Sequence, residues 1–170
     1  ITRALSRLKS VFITFYRPNI GAINDSMRGR NRFNTFYSPA QVNTDTSHPP
    51  DFGFEFQLQL GSKLYPEYPI TSHGEGYYHL RKAVGGQNNK YNTIGINGRQ
   101  YQGVKFVLGM DMERVLESGF SGQNTRAGDI LNVNFQHNSN TASVYAHEMQ
   151  IILHSDNVLE VRDSGVSVFD

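Results

Sequence analysis

Apolar and polar residues alternate along much of the chain with the period of two that is typical of β-strands. The clearest case is residues 52–60, where Phe and Leu occupy every even position and Gly, Glu and Gln the odd ones. This alternation predicts a strand with one face in a core and the other toward solvent, as in antiparallel sheets. Further strands are predicted at residues 10–16, 104–110, 129–135, 144–154, 157–163 and 166–169. The tight turn between the last two predicts a hairpin.

Two short segments carry helix signals instead. The first, residues 73–84, places Arg81 and Lys82 in its last turn, where cations suit the helix dipole, and two glycines follow it. The second, residues 111–118, starts at Asp111, a residue type suited to an N-cap, and stops before a glycine. Each would be an insertion between strands and not a second layer of the fold.

These elements predict an all-β fold, most simply an antiparallel jelly-roll β-sandwich with two short inserted helices. Polar stretches at residues 19–50 and 85–103 are predicted to be long surface loops, which are uncommon unless they serve binding or assembly. The 170 residues show no linker or repeat that divides them, so residues 1–170 are expected to form a single domain.

The composition narrows the classes of protein to consider. Hydrophobic residues make up 38% of the chain, with eleven Phe and nine Tyr, which is enough apolar material for a core. The absence of cysteine excludes disulfides, thiolate metal sites and a cysteine nucleophile. No apolar run has the roughly 18–20 residues needed to cross a bilayer, so no membrane span is expected.

Charge is distributed unevenly along the chain, although the net charge is only +1. Residues 1–32 contain seven basic residues and one acidic residue, whereas the remainder contains nine basic and fourteen acidic residues. Such a basic segment could contact nucleic acid or an acidic neighbour. Alternatively, it lies against the acidic remainder of the same chain and neutralises it.

Three side chains that bind metals or transfer protons lie within seven residues, at His73, Glu75 and His79. Histidine ligands on one helix face are four residues apart, whereas six residues at 100° each leave these two about 120° off a common face. The alternative is that His73 and Glu75 belong to the start of a helix. No phosphate-binding loop and no serine-nucleophile elbow is present. We therefore expect neither an enzyme nor a cofactor.

Two other sets of residues are candidates for contact with a partner. Arg28, Arg30 and Arg32 are spaced by two in a predicted loop and could bind phosphate or a partner's carboxylates, or simply be solvated. The aromatic set comprises Tyr65, Tyr68, Tyr77 and Tyr78, which are candidates for interface residues, a stacking platform or core packing. One glycosylation triplet begins at Asn24, a weak signal by itself.

Several segments together resemble the major capsid proteins of the double jelly-roll lineage, nearest those of Polinton-like viruses and virophages. They are RALSRLKSVFITFY (residues 3–16), FQLQLGSKLYPEYPI (56–70), YYHLRKAVG (77–85), SGFSGQNTRAGDILNV (118–133) and LHSDNVLEVRDSGVSVFD (153–170). These are strand and turn patterns, and they include no catalytic signature. The similarity extends over most of the chain and is weakest in the two long loops.

The resemblance implies a viral coat protein found in the virion and assembled inside the host cell. The chain would correspond to the C-terminal jelly roll of a longer double jelly-roll protein, an expectation that its non-Met start also favours. Alternatively, the N-terminal half is a separate chain, or the chain is a single-jelly-roll capsid or penton protein, because 170 residues hold only one barrel. Its partners would be copies of itself, in trimers that form pseudo-hexagonal capsomers of an icosahedral shell, and other capsid proteins. The basic segment 1–32 would add a weak contact with the genome.

Two other functions use the same fold and stay open. Jelly rolls also occur in lectins, so a carbohydrate- or ligand-binding β-sandwich would use aromatic residues clustered in one cleft. A cupin-like metalloenzyme would need His and Glu side chains that converge from adjacent strands, and the sequence has no G-x-H-x-H cluster.

Overall fold

The fold is that of a computed structural model, and the residues described are 5–16, 36, 38, 54–85, 95–103, 105–113, 122–125, 129–137 and 148–169. Their strands are β1 (Leu8–Tyr16), β2 (Phe54–Leu60), β3 (Lys63–Ile70), β4 (Val107–Asp111), β5 (Leu131–His137), β6 (Glu148–Ser155), β7 (Val158–Arg162) and β8 (Gly165–Phe169). The helices are α1 (His73–Val84) and α2 (Gly98–Gly103). The predicted all-β, antiparallel class with short helices is confirmed. Over these residues, no helix is both long and apolar enough to cross a membrane.

β1 is the central strand of the first sheet, with β4 and β6 antiparallel on either side. Its β-branched and aromatic residues predicted a strand, and the structure extends that strand back to Leu8. At this end Leu8 and Gln123 exchange both backbone N–H···O bonds, each 2.9 Å long. A short segment around Gln123 therefore continues the pairing beside the start of β1.

β2 is the central strand of the second sheet, between β3 and β5. Its four even-numbered residues are buried, as the alternation predicted, and Leu131 of β5 is buried on the same side. Among the described strands β3 lies at the edge of this sheet, and its register shifts between Tyr65 and Ile70. The Gln57 side-chain amide donates to the backbone carbonyls of Pro66 and Glu67 in this irregular part, at 3.0 and 3.2 Å.

The two sheets share one hydrophobic core. The ring centroids of Phe15 on β1 and Phe135 on β5 lie 4.9 Å apart, and those of Phe54 on β2 and Phe106, just before β4, lie 5.7 Å apart. Each fully buried Phe or Leu side chain contributes about 1.5–3 kcal/mol relative to exposure, so these cross-sheet contacts are a main source of stability. The arrangement is that of a β-sandwich.

The long-range strand pairs are nested in the sequence. β1 pairs with β6 in the first sheet, while β2 and β5, which lie between them along the chain, pair in the second sheet. A long antiparallel hairpin that is folded over itself produces this order, because successive nested pairs fall in opposite sheets.

α1 packs against β4, an edge strand of the first sheet. The approach is close at Gly109, where a Cβ would lie 2.9 Å from Leu80 Cδ1 and 3.0 Å from Leu80 Cα. Tyr101 of α2 adds to this cover, since its hydroxyl donates to the Val107 carbonyl at 3.0 Å. Covered edges do not pair readily with strands of other chains.

Of the two predicted helices, the structure contains the first and not the second. The first is confirmed over residues 73–84. The second, at residues 111–118, is wrong where the structure describes it: Asp111 is the last residue of β4, and neither Met112 nor Glu113 is helical, although Asp111 Oδ1 accepts the Glu113 N–H at 2.9 Å. Residues 114–118 lie outside the described residues. α2 instead forms within a stretch predicted to be a loop.

Candidate interaction surface

The start of α1 explains why Glu75 lies where it does. The Thr71 backbone N–H donates to Glu75 Oε2 at 2.9 Å, and the Glu75 N–H donates to Ser72 Oγ at 3.2 Å. The side chains of Ser72, the N-cap, and Glu75 thus each accept a backbone N–H from the other's end of the first turn, much as in a capping box, and Glu75 bonds the residue just before the N-cap. The hydrogen bond from the Thr71 backbone is the main cause that lowers the pKa of Glu75. Glu75 thus belongs to the helix start, as one of the two interpretations of this segment predicted.

His73 is directed into the core and not toward a shared site. Its ring lies 5.2 Å from that of Phe54 and 5.4 Å from that of Phe106, and Nε2 is 3.0 Å from Ser38 Oγ. Burial lowers its pKa, which favours the neutral imidazole. The half-buried His79 has a pKa that is lowered by burial first and by Lys82 second. Within the described ranges, no group of three or more His, Asp or Glu side chains is placed to hold a metal ion.

The four candidate tyrosines divide into two pairs. Tyr65 and Tyr77 are partly buried against the core, and the Tyr77 hydroxyl donates to the Ile96 carbonyl at 2.7 Å. Tyr68 on β3 and Tyr78 on α1 are exposed, at 78% and 65%. Only this second pair is available to a partner.

The charged candidates are only partly described. Arg28, Arg30 and Arg32, together with Asn24, lie outside the described residues. Of the basic segment 1–32, Lys9 is seen to contact acidic residues of the remainder: its Nζ lies 2.8 Å from Asp156 Oδ2 and 3.3 Å from a Glu113 carboxylate oxygen. The hydrogen bond with Asp156 is the main cause that raises the pKa of Lys9. These contacts agree with the interpretation in which the basic segment neutralises the acidic remainder.

Exposed aliphatic side chains form a feature that the sequence analysis missed. Met149 and Ile152 on β6 are 44% and 52% exposed. The largest group is on the β7–β8 hairpin, where four aliphatic residues are 60–69% exposed, namely Leu159, Val161, Val166 and Val168. The alternation of apolar and polar residues in β7 and β8 predicted that their apolar face is buried, and nothing in the sequence indicated that this face is exposed to solvent.

The surface of the described residues therefore offers apolar and aromatic contacts. We find no cluster of catalytic side chains among these residues. Comparison with known proteins adds no family: no protein-family model matches the chain, and neither a curated protein nor a solved structure matches it.

Proposed function

We propose that this chain is a viral coat-protein subunit whose jelly-roll domain assembles into trimeric, pseudo-hexagonal capsomers of an icosahedral shell. The observation that carries the proposal is the nested pairing of β1 with β6 and of β2 with β5 in two facing sheets. A jelly roll winds one long antiparallel hairpin into two sheets and produces the same nesting. The resemblance of five segments to double jelly-roll capsid proteins supports the same assignment.

The exposed side chains support an assembly role. Aromatic residues and Met are enriched in protein–protein interfaces relative to the rest of the surface. Tyr68, Tyr78, Met149 and Ile152 lie on three elements of the sandwich, so several separate contacts are available to neighbouring copies. A closed ring of identical subunits needs a heterologous interface, in which two different parts of the surface meet, and exposed side chains on different elements would meet that need.

We further propose that Arg28, Arg30 and Arg32 make a contact in the same assembly, either with a neighbour's carboxylates or with the genome. Replacing all three by Glu would reverse the charge of this segment and is expected to weaken assembly. Unchanged assembly would rule this contact out and leave the coat-protein proposal in place.

Imaging of the assembled protein tests the proposal. Negative-stain micrographs of the purified protein are expected to show trimeric particles with a hexagonal outline, or shells built from them. A field of single small particles at every protein concentration would contradict it.

The second candidate function is a carbohydrate- or ligand-binding sandwich, which the exposure of Tyr68 and Tyr78 favours because exposed aromatic rings stack on sugars and other flat ligands. A glycan screen of the monomer, repeated with Tyr68→Ala and Tyr78→Ala, separates this function from the first. Binding that both variants lose would favour the ligand-binding candidate.

A further inference from the structure

One face of the β7–β8 hairpin carries only aliphatic side chains, and the other carries polar side chains together with Val158 at its base. Leu159 lies opposite Val168 and Val161 lies opposite Val166, so all four side chains share one face. Glu160 and Ser167 are opposite each other on the other face, where Arg162 Nε contacts Glu160 Oε1 at 2.6 Å. The charges are thus paired on the polar face, and the aliphatic face carries none.

The hairpin pairs with neither of the two sheets among the described residues, where it forms a sheet of its own. A two-stranded hairpin is only marginally stable in water unless its apolar face packs against something. Its base is fixed, because the Asp156 N–H donates to the Arg7 carbonyl at 3.2 Å and its carboxylate contacts Lys9. The hairpin is therefore held at its base while its aliphatic face stays open.

We propose that this aliphatic face packs against the same face of a second copy of the chain. A two-fold contact brings a patch onto itself, so the patch has to be self-complementary. A flat, uncharged face of four aliphatic side chains meets that condition, and two such sheets pack face to face about 10 Å apart. Charged or hydrogen-bonding partners such as nucleic acid or sugars find no matching group on it.

The exposed area indicates how strong this contact is. Four aliphatic side chains left mostly exposed amount to roughly 400 Å² of apolar surface per copy, comparable with the roughly 300–600 Å² of the largest such patch on a typical single protein, which is often functional. Two copies would bury about 800 Å² there, below the roughly 1,200–2,000 Å² of a stable specific interface. The contact is therefore weak alone and gains strength when several are made together.

Where the hairpin contact lies in a shell depends on the proposed coat function. A trimer is a ring and uses heterologous interfaces, whereas the hairpin face is suited to a two-fold. The hairpin thus joins neighbouring trimers and does not build the trimer.

The test exploits the absence of cysteine from the chain. Val161→Cys places the single thiol on the aliphatic face, and Ser167→Cys places it on the polar face as the matched control. When the assembled protein is treated with a bifunctional maleimide that spans about 10 Å, the distance between packed sheets, Val161→Cys is expected to form cross-linked pairs of chains and Ser167→Cys is not. Equal cross-linking of the two variants would overturn the inference.

A second variant separates this contact from trimer formation. Val161→Glu combined with Val166→Lys replaces one of the two aliphatic pairs by opposite charges across the hairpin, which breaks up the apolar face but preserves strand pairing. Sedimentation is expected to show trimers intact and association beyond the trimer weakened about 10-fold or more. Unchanged higher association would overturn the hairpin contact alone, whereas a wild-type chain that never associates would overturn the coat function as well.

Discussion

Two glycines in the first turns of α1 differ in what surrounds them. A Cβ at Gly76 would lie 2.8 Å from the Tyr101 hydroxyl, whereas at Gly74 the nearest atom is 4.0 Å away. Both changes to Ala remove the same backbone freedom, which favours the helix by up to about 1 kcal/mol. We expect Gly74→Ala to keep or raise the free energy of unfolding and Gly76→Ala to lower it by about 1–3 kcal/mol, as measured by urea denaturation.

The same contact predicts a coupling between two residues. Tyr101→Phe alone loses the bond to the Val107 carbonyl and should cost about 1–2 kcal/mol. It also removes the atom that Gly76→Ala meets, so the double variant should be more stable than the sum of the two single losses predicts. Strictly additive losses would show that the hydroxyl is not the obstacle.

His73 gives the fold a pH dependence. Because burial lowers its pKa below the usual 6.5, the unfolded chain binds a proton more readily than the folded one, and stability falls as pH falls through and below this value. His79 acts in the same direction. Thermal unfolding measured between about pH 7 and 5 should show this decline.

Single variants of the two histidines show which of them causes the loss of stability at low pH. His73→Gln is expected to flatten the pH dependence more than His79→Gln, because His73 is buried and His79 is only half-buried. A full decline that persists in His73→Gln would contradict the assignment. Glu75, whose pKa is also lowered, loses its contribution only in more acidic solution, below its ordinary value of 4.5.

At the scale of elements, Lys9 connects β1 with the residues that follow β4 and β6. Its two carboxylate partners are only 21% and 31% exposed, so Lys9→Met should lower the free energy of unfolding by about 1 kcal/mol and speed hydrogen exchange at Asp156. Arg162→Met is the matched control, because its ion pair is 69% exposed on the arginine side and should cost almost nothing. Equal losses would show that the Lys9 contacts are not structural.

The sequence predicted correctly those elements in which the residue pattern and the end-capping residues agree with the packing in the fold. β2 has a strict alternation and both neighbours in place, and α1 has Ser72 and Glu75 at its start and Gly85 at its end. β3 was not predicted because Pro66 and Pro69 argue against a central strand, and they are tolerated at the edge where β3 lies. α2 is too short for a periodic signal, and its place is set by Tyr101 packing against α1 and β4.

At the scale of the whole molecule, the last hairpin marks the limit of what the sequence predicts. Its strands and tight turn followed from alternation and from the turn residues, and both are confirmed. Alternation shows which side chains share a face but not what covers that face. The exposure of Leu159 and its neighbours depends on where the hairpin leaves the sandwich, which only the tertiary structure describes.

Above all, we propose that this chain assembles with copies of itself. The absolute mass of the native particle, measured by light scattering over a series of protein concentrations, tests it most directly. We predict a mass of at least three times the 19.2 kDa of the chain, increasing with concentration as the weak hairpin contacts form. A mass of one chain at every concentration would contradict the account.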